Sequence, residues 1–266
     1  MLDSYKRDIN YLRISVTDRC NLRCIYCMPP EGIPSISHSD IISFEDIITT
    51  VKQAVKRGVN KIRLTGGEPL VRKGIVDLVK MIAEIPGIED FGLTTNGTLL
   101  ANFASDLKKA GLHRINISLD TLDAEKYKQI TRGGDLSKVL DGIIEAKKVG
   151  FDTIKINCVI LESSTEPDAV AVADFAQKNK LQVRFIHKMN LETGYFKQVE
   201  GGDGGNCKKC NRLRITSNGN IQPCLFSESS FSIYTNGIDQ AFNLALANKP
   251  KMGSLNKKGQ FYNIGG

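Results

Sequence analysis

Seven cysteines stand in this chain of 266 residues, and six of them form two triplets. Cys20, Cys24 and Cys27 have the spacing C-x3-C-x2-C, and Cys207, Cys210 and Cys224 have the spacing C-x2-C-x13-C. The cysteine number is odd, and the chain is far larger than a stapled mini-domain, so disulfides are not expected. Triplets of thiolates point to metal instead. A cubane [4Fe–4S] cluster takes four ligands, usually thiolates. Three cysteines on one tight loop hold three of its corners and leave one iron open for a small molecule to chelate. A structural zinc site needs four closed ligands. It would have to borrow a distant residue here, because His38, the nearest histidine, stands isolated between two serines. Cys158 lies in the apolar run 156–160 and reads as an inert core thiol.

Such loops need elements to hold them. Hydrophobic periodicity alternates between short strand-like runs at 12–16, 61–65, 91–95, 114–119, 153–160 and 182–187 and longer helical stretches. The first helix opens at Ser43 with an acidic turn, Glu45-Asp46, and ends before Gly58; the next four are expected over 73–85, 101–110, 137–149 and 166–178. Six strand-then-helix units predict an α/β fold, an open (β/α)6 three-quarter TIM-type barrel. Active sites of such barrels sit where the strands end. The first Cys triplet, Gly66-Gly67-Glu68-Pro69 and Asn96-Gly97 all fall at such ends. After Met189 the pattern breaks. Gly201 to Gly205 reads as a flexible linker, a hairpin is expected over 213–216 and 220–225, and a last helix over 238–247. The expected division is a barrel over 1–190 and a C-terminal extension over 191–266 that carries the second Cys triplet.

Composition narrows the classes. With 41% hydrophobic and 24% charged residues the chain suits a folded globular protein. No run approaches the length needed to span a bilayer, and residues 1–12 hold no apolar signal core, so a cytoplasmic protein is expected. The net charge of +7 is spread rather than clustered, tryptophan is absent and aromatics are 7%, which argues against nucleic-acid binding. An anionic small molecule remains a fitting partner.

Cys20-x3-Cys24-Ile25-Tyr26-Cys27 resembles the signature of the radical S-adenosylmethionine (radical SAM) superfamily, and Gly66-Gly67-Glu68-Pro69 resembles its motif for the methionine amino group. The similarity extends over nearly the whole chain to the GTP 3′,8-cyclase family of molybdenum-cofactor synthesis. It is carried by the segments 12–20, 63–69, 94–97, 118–120, 155–157, 184–186, 207–214 and 224–226, and by the closing Gly265-Gly266. The resemblance implies a lyase with two [4Fe–4S] clusters and S-adenosyl-L-methionine. The first cluster cleaves S-adenosylmethionine to a 5′-deoxyadenosyl radical, which takes the ribose 3′ hydrogen of GTP before the sugar carbon attacks C8. The second cluster holds the guanine.

By the same resemblance Tyr26, Gly66, Gly67, Glu68, Ser118 and Met189 contact S-adenosylmethionine. Arg13, Arg63, Thr94, Lys155, Arg212, Leu213 and Arg214 contact GTP, Lys61 and Arg184 are expected to join them by charge and strand position, and Gly265 and Gly266 are expected to enter the active site. The charges agree: arginine's planar fork suits phosphate oxygens, and Arg13, Lys61, Arg63, Lys155 and Arg184 all lie on expected strands, where alternate side chains point inward. The implied partners are GTP, an electron donor of the flavodoxin or ferredoxin type, and a downstream cyclic pyranopterin monophosphate synthase. A homodimer stays open. His187 stands where the family has a carboxylate, and the family carries several dozen more residues between Met189 and Cys207. Two other readings remain: a related two-cluster enzyme acting on another nucleotide or a peptide, and a two-cluster electron-transfer protein.

Overall fold

The computed structural model describes residues 1–189 and 197–253. Along the chain run β1 (Tyr11–Ser15), α1 (Phe44–Lys56), β2 (Lys61–Thr65), α2 (Ile75–Ala83), β3 (Asp90–Thr95), α3 (Leu100–Lys109), β4 (Arg114–Ser118), α4 (Ala124–Thr131), α5 (Leu136–Lys148), β5 (Ile154–Ile160), α6 (Pro167–Lys178) and β6 (Gln182–His187). After them come β7 (Arg212–Ile215), β8 (Asn220–Gln222), β9 (Phe231–Ser232), α7 (Ile233–Asn236) and α8 (Ile238–Ala247). The strands make one open sheet in the order β6-β5-β4-β3-β2-β1-β7-β8-β9. β1 to β6 are parallel, as the expected α/β partial barrel requires. Among the described residues no helix is long and apolar enough to cross a membrane.

The helices form where the sequence places their stop and start signals. Ser43 caps α1 by accepting from the Asp46 amide at 3.0 Å, and Ile47, Val51 and Ala54 are buried along one face. Their partners are the alternate strand residues Leu12, Ile14, Ile62, Leu64, Phe91, Leu93, Ile115, Ile117, Ile154 and Ile156, all buried in the same core. The core therefore lies between sheet and helices. The other residues of each strand, Tyr11, Arg13, Lys61, Arg63, Arg114, Asn116, Lys155 and Arg184 among them, face the inside of the curve by the two-residue period of a strand.

Several expectations are corrected. The strand expected over 12–16 shifts by one residue at both ends, and those expected over 91–95, 114–119 and 153–160 each differ by one residue at one end. The helix expected over 73–85 is trimmed to Ile75–Ala83, because Gly74, at φ 78°, takes the left-handed conformation at its start. The hairpin's second strand stops at Gln222 instead of 225, since Pro223 has no N–H to donate. The Gly201 to Gly205 run is a packed turn rather than a flexible linker. Val199 donates to the Gly204 carbonyl at 2.8 Å. A Cβ on Gly205 would sit 2.6 Å from the Lys197 carbonyl oxygen. The C-terminal strands also belong to the main sheet, because β7 pairs with β1 in parallel, Tyr11 opposite Arg212 and Arg13 opposite Arg214. The expected domain boundary at 190 falls outside the described residues.

Candidate active site

At the C-terminal rim three loops lock together. The Gly67 amide donates to the Thr17 carbonyl and the Glu68 amide to that of Arg19, both at 2.7 Å. This approach admits no side chain: a Cβ on Gly66 would lie 2.7 Å from the Thr17 oxygen, and one on Gly67 would lie 2.3 Å from the Arg19 oxygen. Glu68 is 1% exposed. Its carboxylate accepts from the Leu70 amide (3.0 Å), the Thr95 hydroxyl (2.7 Å) and the Asn96 amide (2.7 Å). Burial lifts its pKa to about 7 against the pull of those hydrogen bonds. Asn96 completes the tie, its side-chain amide reaching Asn21 at 2.9 Å and the Cys20 sulfur at 3.9 Å. The loop that carries Cys20 is thus fixed by the loops after β2 and β3.

Helix α4, which the periodicity does not reveal, shapes the rest of the cysteine loop. The Ile25 amide donates to the Ile130 carbonyl at 2.9 Å, and the Arg23 amide to that of Thr131 at 3.1 Å. Arg132, in the left-handed conformation at φ 54°, donates to the Arg23 and Met28 carbonyls at 2.7 and 2.8 Å. Tyr26 donates to Asp120 at 2.6 Å, and Asp120 accepts in turn from the Val159 amide at 2.8 Å. Cys20 and Cys24 are half-buried and Cys27 is exposed, all three free of disulfides. Among the described residues no three His, Cys, Asp or Glu side chains close on one ion position. A cubane spreads its thiolates over separate corners. Three soft sulfurs on one loop are the donor set that an iron–sulfur cluster with one open iron would take.

Inside the curve the walls are cationic. Arg13 stands opposite Arg63 on one side and Arg214 on the other. Lys155 stands opposite Asn116, and Arg184 opposite Asn157. Arg63 is fully buried, and its Nε donates to the Tyr11 hydroxyl at 2.9 Å. Arg114 is ion-paired to Asp90. Arg63 Nη1, Thr94 Oγ1, Asn116 Oδ1 and Arg184 Nε are buried with no hydrogen-bond partner among the described residues.

Crowding shows in the acid–base behaviour. Burial pulls Arg13 down to about 9, its neighbours Arg214, Arg63 and Arg212 adding to the effect and Tyr11 opposing it. Lys155 falls to about 8 through burial and the charges of Arg184, Arg114 and Arg63. Arg214 falls to about 10, chiefly through burial. For Tyr11 burial alone would raise the pKa, but the guanidiniums of Arg63, Arg13 and Arg212 outweigh it and bring the phenol to about 8. A polyanion would relieve all four groups at once.

The second triplet lies at the other end of this lumen. Cys210 comes two residues before Arg212, which pairs with Tyr11 at the start of β1, whereas Cys20 follows the end of β1. The five residues of β1 separate the two groups by roughly 17 Å of strand. The buried Arg7 is ion-paired to Asp3 at 2.6 Å and donates to the Cys207 and Pro250 carbonyls, both at 2.7 Å. Lys249 reaches the Arg212 and Pro223 carbonyls and the Cys210 sulfur. Burial lowers its pKa, while the Cys210 and Cys224 sulfurs oppose that shift.

The expected site residues divide by location. Tyr26, Gly66, Gly67, Glu68 and Ser118 gather at the first rim. Arg13, Arg63, Thr94, Lys155, Arg184, Arg212 and Arg214 line the lumen. Met189 instead packs with Leu225, Phe226 and Cys224. Lys61 sits at the start of its strand, 43% exposed and 3.9 Å from Asp90, apart from the buried cations. The Leu213 side chain belongs to the apolar core, so only its backbone faces a ligand. Gly265 and Gly266 lie outside the described residues. Sequence reasoning passed over Tyr11, Arg114, Asp120 and Lys249. Strand alternation carries a signal for the first two, and none is legible for Lys249 in a lysine-rich tail.

Residues 14–176 match the Radical SAM superfamily. A GTP 3′,8-cyclase of Pelotomaculum thermopropionicum is 43% identical, over 85% of this chain and 84% of its own. One of Syntrophomonas wolfei is 38% identical over all of both chains, in an alignment of 326 positions against the 266 residues here. Among solved structures, Streptococcus suis SuiB bound to precursor peptide SuiA superposes with a TM-score of 0.70 at 18% identity, covering 98% of this chain and 72% of that one. In two further SuiB structures the match takes in 64% of the longer chain. Native anSMEcpe with bound AdoMet gives 0.64 at 17% identity, over 90% and 81%. The structural likenesses establish the partial-barrel fold, and the sequence matches settle the family: the chain belongs to the radical SAM superfamily and, within it, to the GTP 3′,8-cyclases.

Proposed function

We propose that the chain converts GTP to 3′,8-cyclo-7,8-dihydro-GTP, with Cys20, Cys24 and Cys27 holding a SAM-cleaving [4Fe–4S] cluster and Cys207, Cys210 and Cys224 a second one. The observation that carries this reading is the placement of two cysteine triplets at opposite ends of one cation-lined lumen. When bound, the first cluster supplies the electron that splits S-adenosylmethionine into methionine and the radical that takes the ribose 3′ hydrogen. The chain's own residues do the rest by positioning. Tyr26 is held by Asp120, and the Gly66–Glu68 run is pinned to the cysteine loop, so the first rim presents a fixed surface to the cosubstrate.

Arg13, Arg63, Lys155, Arg184, Arg212 and Arg214 receive the triphosphate. Thr94 and Asn116 offer buried oxygens to the nucleoside. Held between the two triplets, the ribose stands toward the first and the base toward the second. The barrel over 1–190 supplies the cosubstrate site and the extension over 191–266 the second cysteine group, with Gly265 and Gly266 completing the pocket. An external flavodoxin- or ferredoxin-type donor provides the electrons, and a cyclic pyranopterin monophosphate synthase takes the product.

Anaerobic reaction of the reconstituted chain with GTP, S-adenosylmethionine and reductant tests this. The hydrogen lost from C3′ is matched by one gained on the dihydro base, so the product has the mass of GTP but a new chromatographic position. One 5′-deoxyadenosine should appear per product. Cleavage of S-adenosylmethionine with GTP recovered unchanged would overturn the assignment.

A further inference from the structure

Lys249 is a lysine 3% exposed, just past the end of α8. Its ammonium donates to the Arg212 carbonyl at 2.7 Å and the Pro223 carbonyl at 2.7 Å, and it lies 3.6 Å from the Cys210 sulfur. Those three partners come from two separate pieces of chain. Arg212 follows Cys210 by two residues, and Pro223 immediately precedes Cys224. The three protons of one ammonium thus join the loop before β7, the loop after β8 and the end of α8.

A buried ammonium is costly unless an opposite charge lies near. Among the described residues no carboxylate comes within ion-pair distance of Lys249. The surroundings add cations instead, with Arg7 close to Lys249 and with Arg212 and Arg214 close to Cys210. The acidic partner of Arg7 is Asp3, which is already ion-paired. What lies nearest to offset the charge is sulfur, with the Cys210 Sγ 3.6 Å from the ammonium and Cys224 next to the Pro223 carbonyl that it holds.

Resting on the reading of this triplet as a cluster site, we propose that Lys249 is its positioning residue. It braces the Cys210 and Cys224 loops at the spacing a cluster needs and supplies the fixed positive charge that offsets the bound, thiolate-ligated cluster. The two roles separate chemically. Lys249→Gln keeps hydrogen-bond donors without charge, Lys249→Arg keeps charge with donors, and Lys249→Met keeps neither.

The test uses the full chain with Cys20, Cys24 and Cys27 replaced by alanine, so that any cluster found sits on the second triplet. Iron and sulfide per chain, far-ultraviolet circular dichroism and the midpoint potential by EPR-monitored titration are measured after anaerobic reconstitution. Removing a nearby cation disfavours the reduced cluster. Lys249→Gln should therefore retain iron but shift the potential downward, by at least a tenfold change in the reduced-to-oxidised ratio, about 59 mV for one electron. Lys249→Arg should stay near the parent, and Lys249→Met should lose most of its iron while keeping its helical signal. Loss of iron in both Gln and Met variants, with Arg retaining it, would also support the brace. Unchanged iron in Met together with an unchanged potential in Gln would overturn the inference and leave the cluster reading intact. A parent chain with Lys249 present and no cluster would instead overturn the cluster reading, and this inference with it.

Discussion

Gly92 on β3 has no side chain because Arg63 occupies its space. A Cβ built there would lie 3.0 Å from the Arg63 Cζ and Nη1 and 3.1 Å from Nη2, against the 3.4 Å or more of ordinary contact. Gly92 has an ordinary strand backbone, absent from the residues at positive φ, so alanine brings no backbone strain. Gly92→Ala is thus a substitution whose one steric consequence is to push a guanidinium aside by a few tenths of an ångström or into another rotamer. The unfolded chain loses freedom, which favours the fold by about 0.4–1 kcal/mol and offsets the crowding. Thermal stability should stay within a few degrees of the parent. Phosphate recognition should not survive so well. Charge-assisted hydrogen bonds contribute about 1.5–3 kcal/mol each, so losing the Arg63 contact weakens GTP by roughly ten- to a hundredfold. Anaerobic calorimetry with GTP, guanosine and S-adenosylmethionine isolates the effect: GTP affinity falls, while guanosine and S-adenosylmethionine barely change. Native GTP affinity in a chain that melts normally would refute the placement of Arg63 at the triphosphate.

The lumen should also take up protons on binding. Arg13, Lys155 and Tyr11 titrate in the folded chain at about 9, 8 and 8, below their ordinary values. Above pH 8 the folded chain therefore binds fewer protons than the unfolded one, and their contribution to stability rises with pH. GTP reverses the shift, so calorimetry at pH 8–9 in buffers of different ionisation enthalpy should show net uptake, and zero or release would contradict it. Cys24→Ala should abolish S-adenosylmethionine cleavage, whereas Cys210→Ala should leave uncoupled cleavage without product; equal loss in both, with the first cluster spectroscopically intact, would end that division of labour. Deleting Gly265 and Gly266 should preserve cleavage and stop hydrogen transfer from GTP, as deuterium at C3′ would report, and full product from the shortened chain would reduce the tail to packing.

What the sequence made legible was what local pattern encodes. Strand β2, Lys61–Thr65, was read to the residue, because alternation and a clean Gly-Gly end bound it. Ser43 marked the start of α1 through its cap. Helix α4 escaped because only Tyr127 and Thr131 of its eight residues are buried, too few to show a period. The parallel pairing of β7 with β1 joins residues some two hundred positions apart, and nothing local announces it. The same distance hid Lys249, whose burial depends on Cys210 and Pro223 arriving from elsewhere. Arg63 and Arg13 were found because they sit mid-strand among apolar neighbours. Arg114 opens its expected strand and Tyr11 lies one residue before its own, so alternation could have placed both in the lumen, but neither belongs to a segment read for its charge.

That long-range pairing sets an order of events on the ribosome. β1 emerges almost first, and its partner on one side, β2, follows within fifty residues. Its other partner, β7, arrives only when residues 212–215 leave the exit tunnel, on the order of 10–40 s later at ordinary rates of synthesis. Through that interval the edge of β1 stays bare and the rim that carries Cys20, Cys24 and Cys27 is already exposed, while the opposite mouth of the lumen has no wall. The first cysteine loop can therefore be loaded with iron through an unfinished barrel, from inside as well as outside. The second triplet is completed only when Cys224, after β8, has left the tunnel, so a cluster there would be assembled later than one on the first loop.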